Sequence, residues 1–187
     1  MKIRVIINKI LTIIMVLLMA TTVSGKTLYV DNRTGLNLRE QPSLEATILD
    51  KLELGTECDL IKTLSLKGSG WRKIRVADQV GYVQIKYLSK ANPLDQYEYV
   101  GNWMLTAYTH TGSACANGNY PTAGYTIACN SLPFGTEVFI SGVGFRTVED
   151  RGPGHLGSEW LDLFMDDYSS CVNFGIQYHD VYVVSYE

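Results

Sequence analysis

The sequence predicts a mostly-β chain: two small barrels in succession, the second carrying one short helix. Three observations lead there. Residues 27–90 break into short alternating stretches separated by turn signals. Residues 91–102 (ANPLDQYEYVGN) contain Pro93 and follow no clean period, as expected of a linker. Residues 103–187 return to short apolar stretches, now separated by longer Gly- and Thr-rich loops, and they leave room for only one helix.

Composition narrows the function classes. Of 187 residues, 46% are apolar and 19% charged, with 17 Gly, 5 Pro and 4 Cys, which excludes a disordered, collagen-like or disulfide-dense chain. A net charge of −3 supplies no excess of Lys and Arg to neutralise phosphates, so no nucleic-acid partner is expected. The first 25 residues read as a secretory signal peptide. Lys2, Arg4 and Lys9 precede the apolar run Ile10 to Ala20, and Val23-Ser24-Gly25 offers a small-residue cleavage site. The alternative is an uncleaved anchor, and both readings export everything after Lys26. Loss of those three basic residues takes the charge from −3 to −6. After cleavage no stretch is left to span a membrane, and the expectation is a secreted or wall-associated monomer.

In the first piece, Leu36-Asn37-Leu38-Arg39 alternates as a strand and Gln41-Pro42-Ser43 ends it. Leu49, Leu52 and Leu54 lead into Gly55-Thr56. The turn Lys67-Gly68-Ser69-Gly70 then feeds the alternating Trp71 to Val76, and Gly81-Tyr82-Val83 forms another short strand. The segments LNLREQPS, LELGT, GWRKIRV and GYVQIKYLS, in this order, make residues 27–90 similar to the bacterial SH3 (SH3b) domain. That resemblance implies an SH3-like barrel that binds the cell wall, often peptidoglycan peptides, and does no chemistry. Trp71 and Tyr82 are expected in the barrel core, with ligand contact as the alternative.

In the second piece, Met104 to Tyr108 reads as a strand, and His110 to Tyr120 as a polar loop long enough to line a cleft. Tyr125 to Cys129, Glu137 to Ile140, Phe145 to Asp150, Trp160 to Met165 and Val181 to Val184 supply further strands. Asp166 or Asp167 caps a short helix from Tyr168 to Phe174, which Gly175 ends. Cys58, Cys115, Cys129 and Cys171 allow three full pairings. A bridge is expected among the three in the second half, and Cys58 reads as a buried free thiol. Neither these cysteines nor His110, His155 and His179 show metal-ligand spacing, so no metal or cofactor is expected.

The acids carry the chemistry. Alternation places Trp160, Asp162 and Phe164 on one face of a strand and Leu161 and Leu163 on the other. A carboxyl between aromatic neighbours is partly desolvated, which raises its pKa and suits it to general-acid work. The alternative is an ordinary strand aspartate bonded to backbone N–H groups. Asp150 ends a strand beside Arg151-Gly152-Pro153-Gly154, and Asp166 has helix capping as its rival role. Tyr108 and Thr122 are candidates for sugar contact, with core or turn roles as alternatives. No Ser or Cys stands in a recognisable nucleophile setting.

Residues 103–187 resemble the 3D (three-aspartate) domain, related to the catalytic domain of membrane-bound lytic transglycosylases. The motifs are LTAYT, YPTAGYTIA, LPFGTEVFI, VEDRG, LDLFMD and the terminal VYVV, again in order. The resemblance implies a six-stranded double-psi β-barrel, with Asp150, Asp162 and Asp166 as the named aspartates and Asp162 as the catalytic acid. Two departures stand out: Cys129 is followed by Asn130-Ser131 where the family has Asp-Pro, and the loop from Asp150 to Asp162 is one residue longer, with Pro153 and His155. The implied reaction is non-hydrolytic cleavage of peptidoglycan glycan strands, leaving 1,6-anhydro-N-acetylmuramic acid ends. The rivals are a hydrolytic glycosidase with paired carboxyls and a non-catalytic wall-binding or wall-loosening protein.

Overall fold

Short antiparallel strands build the N-terminal half of this computed structural model, which describes residues 26–61, 66–155 and 157–185. They are β1 (Thr27–Val30), β2 (Leu36–Arg39), β3 (Ile48–Leu52), β4 (Glu57–Ile61), β5 (Trp71–Val76), β6 (Gln79–Gln84) and β7 (Leu88–Ser89). They pair in the order β3-β2-β6-β5-β4-β1-β7. One core of Leu28, Val30, Leu36, Leu38, Leu52, Cys58, Ile74 and Val83 fills the sheet. Alternation explains it: Leu36 and Leu38 of β2 are buried and Asn37 and Arg39 are less so. Close approach of β2 to β6 needs Gly81, where a Cβ would sit 2.7 Å from Leu38 Cγ and 2.9 Å from the Arg39 carbonyl.

Trp71 and Tyr82 are not in this core. Both are half-buried on the opposite face, because Ile74 and Val83 set the inward parity of their strands. Tyr82 pairs with Lys73, whose Nζ lies 5.6 Å from the ring centroid. Trp71 lines a groove of about 430 Å³ with Arg39, Leu44, Gln84 and Tyr87.

The expected linker is largely structured. Pro93–Gln96 is a 3-10 turn capped by Asn92, whose Oδ1 accepts from the Leu94 N–H at 3.0 Å. Residues 98–102 already belong to the strand expected to start at Met104. That strand, β8 (Glu98–Tyr108), is followed by β9 (Thr126–Ala128), β10 (Glu137–Ile140), β11 (Gly144–Asp150), β12 (Trp160–Phe164), helix α1 (Tyr168–Phe174) and β13 (Gln177–Ser185). Alternation in β8 is hidden by a register shift: Val181 pairs with Gly101 but Tyr182 with Tyr99, leaving Val100 extra.

These six strands close into a barrel in the order β10-β11-β9-β12-β8-β13. Two pairs, β11 with β9 and β12 with β8, are parallel, and the other four are antiparallel. This is the mixed closed barrel that the sequence leads one to expect. Trp103, Leu105, Ile127, Val138, Val148, Leu161, Leu163, Val181 and Val183 form its interior with Cys129 and Ile140. The residues between them face outward.

The two units touch through polar contacts. Arg33 pairs with Glu137 at 2.5 Å and lays its guanidinium 3.7 Å over Phe145. Glu53 accepts from the Gly142 N–H at 2.6 Å and the Ser141 hydroxyl at 3.2 Å. The expected signal peptide lies outside the described residues, among which no helix is long and apolar enough to cross a membrane.

Candidate active site

The site lies on the outer face of the barrel, across β8, β12, β9 and β11. With Leu105, Leu161, Leu163 and Ile127 turned inward, Thr106 and Tyr108 of β8 and Trp160, Asp162 and Phe164 of β12 share the other face. Ala128 sits between the two acids. It pairs with Asp162 on one side and Asp150 on the other, and its methyl group is too small to cover either carboxyl.

Asp162 is half-buried between Trp160 and Phe164, which are 1% and 3% exposed. A relay fixes its geometry: the Trp160 indole N–H donates to Thr106 Oγ1 at 3.0 Å, and that hydroxyl donates to Asp162 Oδ1 at 2.6 Å. Among the described residues Oδ2 has no hydrogen-bond partner, so it is the oxygen left to a ligand. Burial pushes the Asp162 carboxyl above the ordinary carboxylate value, the Thr106 hydrogen bond opposes this, and the charge of Asp150 adds to it.

Asp150 is held differently. The Tyr108 hydroxyl donates to Oδ2 at 3.1 Å, while the backbone N–H groups of Ala116 and Arg151 donate to Oδ1 at 2.9 and 2.8 Å. Arg151 itself turns away, stacking 3.7 Å over Phe134 and bonding the Cys129 carbonyl at 2.5 Å. Burial, then the charge of Asp150, raises the Tyr108 hydroxyl far above its usual value, so it stays a donor. A register shift between Val148 and Asp150 leaves Glu149 extra against β9. That bulge brings Asp150 onto the outer face beside Asp162, where strict alternation from inward Val148 would have turned it inside.

Glu149, 8% exposed, ties down the loop above the site. It accepts from Thr126 Oγ1 at 2.6 Å and Asn119 Nδ2 at 2.9 Å, and its carbonyl accepts from the Asn117 N–H at 3.1 Å. The loop so anchored supplies the Ala116 N–H to Asp150. On the other side Gly152 lies flat against Trp160: a Cβ there would come 2.1 Å from the indole Cη2.

The structure thus brings together three of the five residues singled out from sequence: Asp162, Asp150 and Tyr108. Asp166 stands exposed past the end of β12 and makes no hydrogen bond with a described residue. Asp167, not Asp166, caps α1, accepting from the Ser170 N–H at 2.9 Å, and its serine partners pull its carboxyl down to about 2. Thr122 takes the turn role, its carbonyl accepting from the N–H groups of Tyr125 and Thr126.

The expected bridge is absent: the four cysteines are free thiols. Burial and nearby carboxylates raise Cys115 and Cys171, and Cys58 donates to the Leu28 carbonyl in the other core. His110 packs edge-on to Phe164, and His179 bonds Ser141 and Gln177. No His/Cys/Asp/Glu group among the described residues could hold a metal ion. Reasoning from sequence missed Thr106 and Glu149. Thr106 sits two residues before Tyr108 on the same face, so alternation could have found it. The role of Glu149 depends on the bulge. No family model matches the chain, and no curated protein matches it.

Proposed function

We propose that this protein is a secreted peptidoglycan-cleaving enzyme, a lytic transglycosylase whose N-terminal sheet binds the wall and whose barrel cuts the glycan. The observation that carries the reading is the unequal treatment of two neighbouring carboxyls. Asp162 is desolvated and pushed toward its protonated form, with Oδ2 free, whereas Asp150 is surrounded by three donors. Paired acids in contrasting environments are the usual arrangement for acid catalysis at a glycosidic bond.

In this mechanism Asp162 Oδ2–H protonates the oxygen leaving N-acetylmuramic acid. Cleavage of the C1–O bond leaves positive charge on the sugar, which Asp150 stabilises from across Ala128. The Asp162 carboxylate then accepts the proton of the C6 hydroxyl as that oxygen attacks C1 and closes the 1,6-anhydro ring. The proton lost in the first step is regained in the second, and no water is consumed. Thr106 keeps the carboxyl in one orientation throughout. Wall binding is assigned to the groove beside Trp71, where an aromatic ring, Leu44 and Arg39 suit a peptide.

The test is mass spectrometry of soluble products after incubation of the protein, and of Asp162→Asn, with purified peptidoglycan. Products ending in 1,6-anhydro-N-acetylmuramic acid, absent with the variant, are expected. Reducing ends would instead establish a hydrolase. Binding to the pellet without soluble product would make the protein a non-catalytic wall binder.

A further inference from the structure

A second cleft, of about 550 Å³, lies where the end of β12 meets α1, and it holds charges that the proposed reaction does not use. Arg146 of β11 and Asp166 both line it, with Phe164, Ser170, Asn173 and Phe174. The half-buried Arg146 guanidinium makes one hydrogen bond, from Nη1 to the neighbouring Phe145 carbonyl at 2.6 Å. A guanidinium has five N–H donors, so most of its capacity is left without a partner among the described residues, and the side chain lines this cleft. Among the described residues the one side-chain ion pair is Arg33 with Glu137, so neither Arg146 nor Asp166 is neutralised. The other acid at the rim, Asp167, is committed to the helix by Ser169 and Ser170.

An unpaired cation in a partly dry cleft favours an anionic ligand group, because burial has already stripped water from it. Burial indeed lowers Arg146 below the usual guanidinium value. A simple anion would meet the charge of Asp166 at the rim. A ligand carrying both a carboxylate and an ammonium meets neither problem. The cleft also falls within the size range of small-ligand sites.

We propose that this cleft binds an α-amino-acid zwitterion, with Arg146 taking the carboxylate and Asp166 the ammonium. The source of the group rests on the wall-cleaving reading: an un-cross-linked peptidoglycan stem peptide presents such a zwitterion at the end of its diamino acid. Cross-linking acylates that amine and removes the ammonium. The barrel therefore distinguishes un-cross-linked from cross-linked strands while its acids work on the sugar nearby.

The experiment is calorimetric titration of the full chain carrying Asp162→Asn, so that nothing turns over. The probes are a disaccharide-peptide with a free diamino-acid terminus, its N-acetylated form, and its form with that carboxylate amidated. Each modified probe is expected to bind about tenfold more weakly, as loss of one charge-assisted contact implies. Adding Arg146→Gln should erase the difference between free and amidated probes, with Arg146→Lys restoring part of it. Adding Asp166→Asn should erase the difference between free and acetylated probes.

Equal affinity for all three probes overturns the proposal. So does weakening by amidation alone, which would mean a plain anion site. Should a variant at Arg146 fail to fold, Asp166→Asn at an exposed position decides, because a loss of discrimination there assigns the binding to this cleft and not to the groove beside Trp71. The expected pattern, together with a parent protein that releases no product from peptidoglycan, would keep the cleft and overturn the enzymatic reading instead.

Discussion

The N-terminal sheet and the C-terminal barrel have similar apolar cores but treat polar groups in opposite ways. Among the described residues, those buried in the first unit are apolar, and the one titratable member, Cys58, is a thiol that burial pushes up to about 11. The buried Thr126, Thr136 and Glu149 all belong to the barrel, as does the raised carboxyl of Asp162. Burying polar groups costs stability unless each finds a partner. A fold that needed only to hold together would follow the pattern of the first unit. The barrel instead gathers Thr126, Glu149 and Asp162 around one patch of its outer face, which supports the chemistry proposed there.

The strongest way to break this contrast is Asp162→Asn. Product release should fall by about 10²–10⁴-fold, the usual contribution of a general acid, while pellet binding persists. Stability should move the other way. Because folding raises the carboxyl above its unfolded value of 3.8, its contribution is complete below that value and is lost as pH rises through the raised one. Melting of the variant should therefore match the parent at low pH and exceed it near neutrality. Melting curves at several pH values read this directly.

A paired glycine test sharpens the comparison. Gly152→Ala drives a methyl into Trp160 and should cost about 1–3 kcal/mol as well as most activity, since the indole holds the Thr106–Asp162 relay. Gly81→Ala meets Leu38 and the Arg39 carbonyl in the other unit. It should lower the melting temperature by a similar amount but leave the chemical products unchanged.

A smaller effect isolates the coupling between the acids. Activity that depends on protonated Asp162 falls as pH rises through its raised value. Removing the charge of Asp150 in Asp150→Asn removes one cause of that rise. The alkaline limb of whatever activity remains should move to lower pH. An unmoved limb would separate the two carboxyls. The smallest effect belongs to the junction: Arg33→Ala breaks an exposed ion pair, worth about 0–1 kcal/mol, and melting should shift by no more than about 2–4 °C.

What could be read from the sequence follows from how local each feature is. β2, β5, β10 and α1 occupy the residues assigned to them, because alternation or a cap-and-glycine pair marks each within a few residues. Asp162 was legible for the same reason: its aromatic neighbours lie two residues away on either side. The first half of β8 was not, since the irregularity at Gly101 breaks the alternation that would have revealed it. Trp71 was misplaced although its own strand contained the answer, three positions from inward-facing Ile74. The contacts of Asp150 with Tyr108 and Ala116 span 42 and 34 residues, and no local pattern encodes such distances. Glu149 was invisible because a single extra residue against β9 decides which way it faces.

Closure of the barrel also orders events in time. β8 finds its two neighbours only in β12 and β13, and β13 is the strand that joins β8 to β10. The N-terminal hairpins can form as soon as they emerge, whereas the barrel waits for distant partners. Until β12 pairs with β9, Asp150 and Asp162 are two acids on separate lengths of chain with no shared surface. A chain caught part-way through synthesis can thus carry a folded first unit before the two acids meet.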